Sequence, residues 1–111
     1  MPALYPAKAE LFRTLAHPVR IRVLELLSER EHAVHELLGR IDAEQSNLSQ
    51  HLAVLRRAGL VRQSRENGEV VYSLLVPAVR DLLLAGRAVL RDRVQDTAEL
   101  ADELDRAEDA S

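Results

Sequence analysis

Apolar residues recur with two different periods along this chain, and the change between them falls at Gly59. Over residues 7–16, Leu11, Phe12 and Leu15 share one face at helical spacing, which predicts a short first helix. His17-Pro18 interrupts it. Proline suits the first position of a new helix, because its missing N–H would have had no partner there. Val19, Val23, Leu24, Leu26 and Leu27 then mark the buried stripe of a second helix. A third, short helix is expected over 31–38, carrying Val34, Leu37 and Leu38 and closed by Gly39. A fourth is expected from Gln45 to Ala58, with Asp42 and Gln45 three residues apart in the pattern of a capping box. It would bury Leu48, Leu52 and Leu55, expose Ser46, Asn47, Ser49, Gln50 and Arg56, and stop at Gly59.

Beyond Gly59 the runs 60–65 and 70–74 are β-prone and flank Glu66-Asn67-Gly68-Glu69. Asn-Gly is favoured where both turn residues need positive φ, so the two runs predict a hairpin. Pro77 opens a last long helix with Val79, Leu82, Leu83, Val89, Leu90 and Val94 apolar. The expected fold is mainly α with a two-stranded β wing. One domain is expected over 1–106, followed by a disordered acidic tail at 107–111.

Length supports a single domain: 111 residues bury a modest core, and pairing with a second copy would add to it. The absence of cysteine excludes disulfides, thiolate metal sites and cysteine nucleophiles. The first residues show no signal-peptide pattern and no run is long and apolar enough for a bilayer, so a soluble, cytoplasmic protein without a membrane partner is expected.

The net charge of −3 changes meaning once it is divided along the chain. Residues 92–111 hold eight acids against Arg93 and Arg106, or −6, which leaves 13 bases and 10 acids, or +3, over 1–91. Four arginines and no acid lie between Leu55 and Arg65. Local charge governs attraction to phosphate, so the acidic total does not exclude nucleic acid.

A short helix, a tight connection and a second helix with a polar outer face make a helix-turn-helix, whose second helix fits a major groove roughly 12 Å wide. Ser46, Asn47, Ser49 and Gln50 have the side chains that reach base edges. Arg56 and Arg57 sit near the far end and suit phosphate, while Arg62 and Arg65 flank the hairpin as a wing on the DNA backbone would need. An exposed polar helix face is usually only solvated, and an Asn-Gly hairpin is usually only structure. Their order, together with the arginines gathered at one end, favours double-stranded DNA. The alternative is a winged helix that contacts a partner protein, with the acidic tail as its docking segment. An enzyme is not expected: there is no phosphate-cradling glycine loop, nucleophile elbow or acid/base pair.

LAHPVRIRVL over 15–24 and QSNLSQHLAVLRRAGLV over 45–61 resemble the ArsR/SmtB family of bacterial transcriptional regulators, and the likeness extends over roughly residues 8–92. The resemblance implies a winged helix-turn-helix homodimer built through its first and last helices. It also implies operator binding, usually repression, often modulated by an effector. His51 lies within the recognition-helix signature and is expected to pack or to contact DNA backbone; His17 belongs to the helix-start motif and is expected to be structural.

Many members of that family sense metals. Their cysteine motif on the third helix falls on Ala33-Val34-His35-Glu36, with Ala33 and His35 at the cysteine positions, so the thiolate version is absent. Their terminal-helix site falls near Val76, Ala78, Val89 and Asp92, of which only Asp92 can ligate. His32 and His35, three apart with Glu36 adjacent, are a candidate site for nickel, cobalt or zinc, which Asp92 or Asp96 of a partner copy could complete. Two exposed histidines are the more common outcome of such spacing. A metal-independent regulator, working alone or with a partner protein, is the alternative.

Overall fold

His17 and Pro18 decide where the second helix begins. His17 is extended (φ −153°, ψ 133°), and its Nδ1 accepts the N–H of Val19 at 3.1 Å, capping the orphan donors of the first turn. In this computed structural model, which describes residues 3–93 and 98–109, the chain divides into two units, Met1–Arg80 and Asp81–Ser111. The first unit contains α1 (Leu4–Leu15), α2 (Pro18–Glu29), β1 (His32–Ala33), α3 (Val34–Arg40), α4 (Gln45–Arg57), β2 (Val61–Glu66) and β3 (Glu69–Leu74), together with the start of α5 (Ala78–Asp92). The second unit holds the rest of α5 and α6 (Ala98–Asp109).

The core of the first unit is aliphatic. Val23, Leu24 and Leu26 of α2, Leu37 of α3, and Leu48, Leu52 and Leu55 of α4 are essentially sealed from solvent. These are the stripes expected from the helical spacing. Val61, Val71 and Tyr72 close the core from the sheet side.

The hairpin is a two-residue turn in which Glu66 pairs with Glu69, and Asn67 (φ 52°) and Gly68 (φ 80°) both adopt positive φ. That geometry twists in the sense of the strands it joins, which is why Asn-Gly is found there. Gly59 (φ 78°) performs the same service at the end of α4.

Four local expectations are corrected. The sheet has three strands in the order β1-β3-β2, because His32 and Ala33 pair with Tyr72 and Val71. The third helix therefore begins at Val34 instead of Glu31. Asp42 and Gln45 form no capping box: Glu44 is the N-cap of α4, without a side-chain cap bond. A box partner occurs one helix earlier, where Glu36 Oε1 accepts the Ala33 N–H at 2.9 Å. The terminal helix is not one continuous element, since α5 ends at Asp92 and a separate α6 spans Ala98–Asp109. Val94 and residues 110–111 lie outside the described residues.

Candidate nucleic-acid interface

The underside of α4 fixes what its upper side can offer. With Leu48, Leu52 and Leu55 buried, the helical period sends Ser46, Asn47, Ser49 and Gln50 outward, and all four are exposed. They cluster in the first two turns of the helix. The connection from α3 is four residues long, and buried Ile41 anchors it.

His51 does not stand free on that face. It is half-buried, and Arg20 Nε on α2 donates to its Nδ1 at 3.1 Å, while Arg20 Nη1 donates to the Thr14 carbonyl at 3.0 Å. The His17 ring lies 4.1 Å away, centroid to centroid, tilted by 40°. Burial, and then the neighbouring His17 and Arg20, hold the His51 imidazole below its usual value of 6.5. Arg20 and His17 thereby join the start of α2 to α4. No pattern in the sequence signals the Arg20 contact: the two partners are 31 residues apart, and only the packing of α2 on α4 brings them together.

Arg56 and Arg57 are exposed in the last turn of α4, where positive charge also complements the helix dipole. Arg56 Nη1 donates to Gln63 Oε1 on β2, which ties the end of α4 to the hairpin. Arg62 and Arg65 are exposed on β2. Among the described residues, Arg57, Arg62 and Arg65 have no carboxylate partner. Between helix and wing runs an open cleft of about 390 Å³, lined by Gln45 and Ser49 of α4, Gln63 and Tyr72 of the hairpin, and His35 and Glu69. Gln45 and Ser49 of α4 and Gln63 of β2 therefore border one cleft.

The residues considered for metal are placed apart. His32 is in β1, not on a helix, and is fully buried; its Nδ1 lies 2.9 Å from the Arg30 carbonyl, and its Nε2 is enclosed without a hydrogen-bond partner. His35 is exposed on α3, with Nδ1 3.7 Å from Glu69 Oε1. Glu36 is committed on both oxygens: one accepts the Ala33 N–H, and the other faces Arg30 at 3.0 Å. Those two contacts hold its carboxyl below the ordinary carboxylate value. Asp92 is exposed at the end of α5, and Asp96 lies outside the described residues. Among the described residues no three His, Asp or Glu side chains converge on one point. His32 and Glu36 of the set expected to bind nickel, cobalt or zinc are thus each engaged elsewhere in the fold.

A helix-turn-helix with an exposed polar second helix and a hairpin carrying unpaired arginines defines a winged helix-turn-helix DNA-binding protein. Residues 17–63 match the family described as "Bacterial regulatory protein, arsR family". An uncharacterised HTH-type transcriptional regulator of Mycobacterium tuberculosis, Rv0081, is 48% identical over 102 residues, covering 91% of this chain and 90% of that protein. Its crystal structure superposes with a TM-score of 0.74 at 47% identity, over 94% of this chain and 99% of that one. The transcriptional activator HlyU of Vibrio cholerae is 40% identical over 73 residues, or 66% of this chain and 68% of HlyU, and its structure gives a TM-score of 0.69. The repressor BigR of Xylella fastidiosa superposes with a TM-score of 0.72 at 35% identity, over 77% of this chain and 87% of BigR. The chain belongs to the ArsR family: it is a DNA-binding transcriptional regulator and not an enzyme. Among the described residues, no helix is long and apolar enough to cross a membrane.

Proposed function

We propose that the chain acts as a homodimeric, operator-binding repressor whose affinity for DNA does not depend on a metal ion. The observation that carries this reading is the exposed polar face of α4, with Ser46, Asn47, Ser49 and Gln50, followed in the chain by the exposed arginines of β2. The first turns of α4 enter the major groove, where hydroxyl and amide side chains read base edges. Arg57, Arg62 and Arg65 neutralise phosphates on either side, and Arg56 contributes while bracing the wing. The dimer is supported by apolar side chains that a single chain leaves in solvent: Leu11 and Phe12 on α1, and Leu84 and Val89 on α5. Two-fold symmetry then calls for an inverted repeat with half-sites roughly 34–36 Å apart, or a multiple of that. Occupying such a site beside a promoter excludes polymerase.

Metal independence is supported by what His32 and Glu36 already do. His32 would have to leave the core, and Glu36 to release Ala33 and Arg30, before either could ligate. The test is fluorescence anisotropy with DNA from upstream of the gene, comparing chelator-treated protein with the same protein given equimolar nickel, cobalt or zinc. The expected result is specific binding that is unchanged by metal. A metal-dependent affinity that disappears on replacing His35 would reverse that part of the reading.

A further inference from the structure

His51 is a neutral ring whose proton position is set by its neighbour. A guanidinium N–H can only donate, so the contact from Arg20 Nε requires a lone pair on His51 Nδ1. The ring proton is thereby placed on Nε2. Among the described residues that atom has no hydrogen-bond partner, and it is not sealed from solvent. The Thr14 carbonyl holds the same guanidinium from the other side, fixing its plane, and no carboxylate among the described residues neutralises it. His17 Nδ1 must carry a lone pair for the same reason, since it accepts the Val19 N–H. An imidazolium at position 51 would set N–H against N–H at 3.1 Å beside a fixed positive charge.

We propose that Arg20 is a positioning residue for operator binding: it locks His51 in the Nε2–H tautomer, so that α4 presents a single neutral imidazole donor to a DNA phosphate. The inference rests on the reading of α4 as the recognition helix. It gives His51 a contact that adds direction without adding charge, unlike those of Arg62 and Arg65. Removing such a contact should weaken binding while leaving its salt dependence unchanged, because no counterion release is lost.

Two measurements on the full-length chain test this. Long-range ¹H–¹⁵N correlation of histidine-labelled protein at neutral pH should show His51 protonated on Nε2 alone, and the preference should be lost in Arg20→Met. In operator titrations, Arg20→Met should bind roughly tenfold more weakly, about the worth of one hydrogen bond to phosphate, at an unchanged salt slope. In a His51→Gln background the same change should cost less than about twofold, as expected for two residues that act through one contact. An equal loss in both backgrounds, or a salt slope smaller by about one, would show that Arg20 itself touches phosphate and would overturn the proposal. Arg20→Lys guards against a folding defect in Arg20→Met: it keeps the charge but not the planar donor pair, and should also weaken binding. Full affinity with lysine would overturn the tautomer role. Wild-type binding unaffected by any of these changes overturns this inference alone, whereas no operator binding by the wild type overturns the DNA reading together with it.

Discussion

At position 51 two demands meet in one side chain, since His51 packs against His17 and Arg20 while lying on α4, the helix proposed to read DNA. Burial and two neighbours that are or can become cationic favour its neutral form, so its folded pKa lies below the unfolded value near 6.5. The unfolded chain therefore binds more protons in the intervening window, and stability rises with pH there. The contribution is complete above the unfolded value, declines as pH falls below it, and is lost once pH is below the folded value. Thermal melts from pH 8 to 5 should show a drop that is reduced in His51→Gln; an identical drop in both proteins would contradict the assignment. The exposed residues divide by chemistry. Gln50→Ala should cost about 1–3 kcal/mol of discrimination and relax the preference at one base pair. Arg62→Ala should weaken all sequences alike and lower the salt slope by about one. Titrations against operator and scrambled DNA at several salt concentrations separate the two.

Each element draws its boundaries from a different source, and that governs how much of it the sequence displays. The stripes of α2 and α4 are spaced at the helical period, so Leu24, Leu48, Leu52 and Leu55 are readable as core from their spacing alone. Leu52→Ala should open a cavity and cost about 2–5 kcal/mol in denaturant unfolding. The hairpin is equally legible, because only Asn-Gly-like pairs tolerate positive φ at both turn positions. Gly68→Ala meets no neighbouring atom but must hold φ 80°, so it should destabilise the wing by about 1 kcal/mol. Strand β1 is illegible for the opposite reason: two residues carry no period, and His32 and Ala33 become a strand only because β3 presents Tyr72 and Val71 to them. The same pairing buries His32, which is why spacing alone cannot tell a ligand from a core residue. The start of α4 misleads because Glu44, one residue from Gln45, takes the N-cap without help from Asp42.

For the whole molecule, charge and apolar surface decide which partners it meets. Residues 92–111 carry −6 and residues 1–91 carry +3, with four arginines and no acid between Leu55 and Arg65, so a chain of net charge −3 still has a locally positive segment suited to DNA. Phe12 is 56% exposed and Val89 60% exposed, too much apolar surface to leave in water on helices otherwise rich in charge. Phe12→Glu should shift sedimentation from dimer towards monomer, and with it weaken operator binding; a monodisperse dimer would remove α1 from the interface. The regulator reading itself is tested most directly by anisotropy titration of the wild-type chain against its own upstream DNA and a scrambled duplex of equal length. Tight, salt-dependent binding to the upstream duplex is expected, with at least about a thousandfold weaker binding to the scrambled one. Equal affinity for both, or none for either, would contradict the regulator reading.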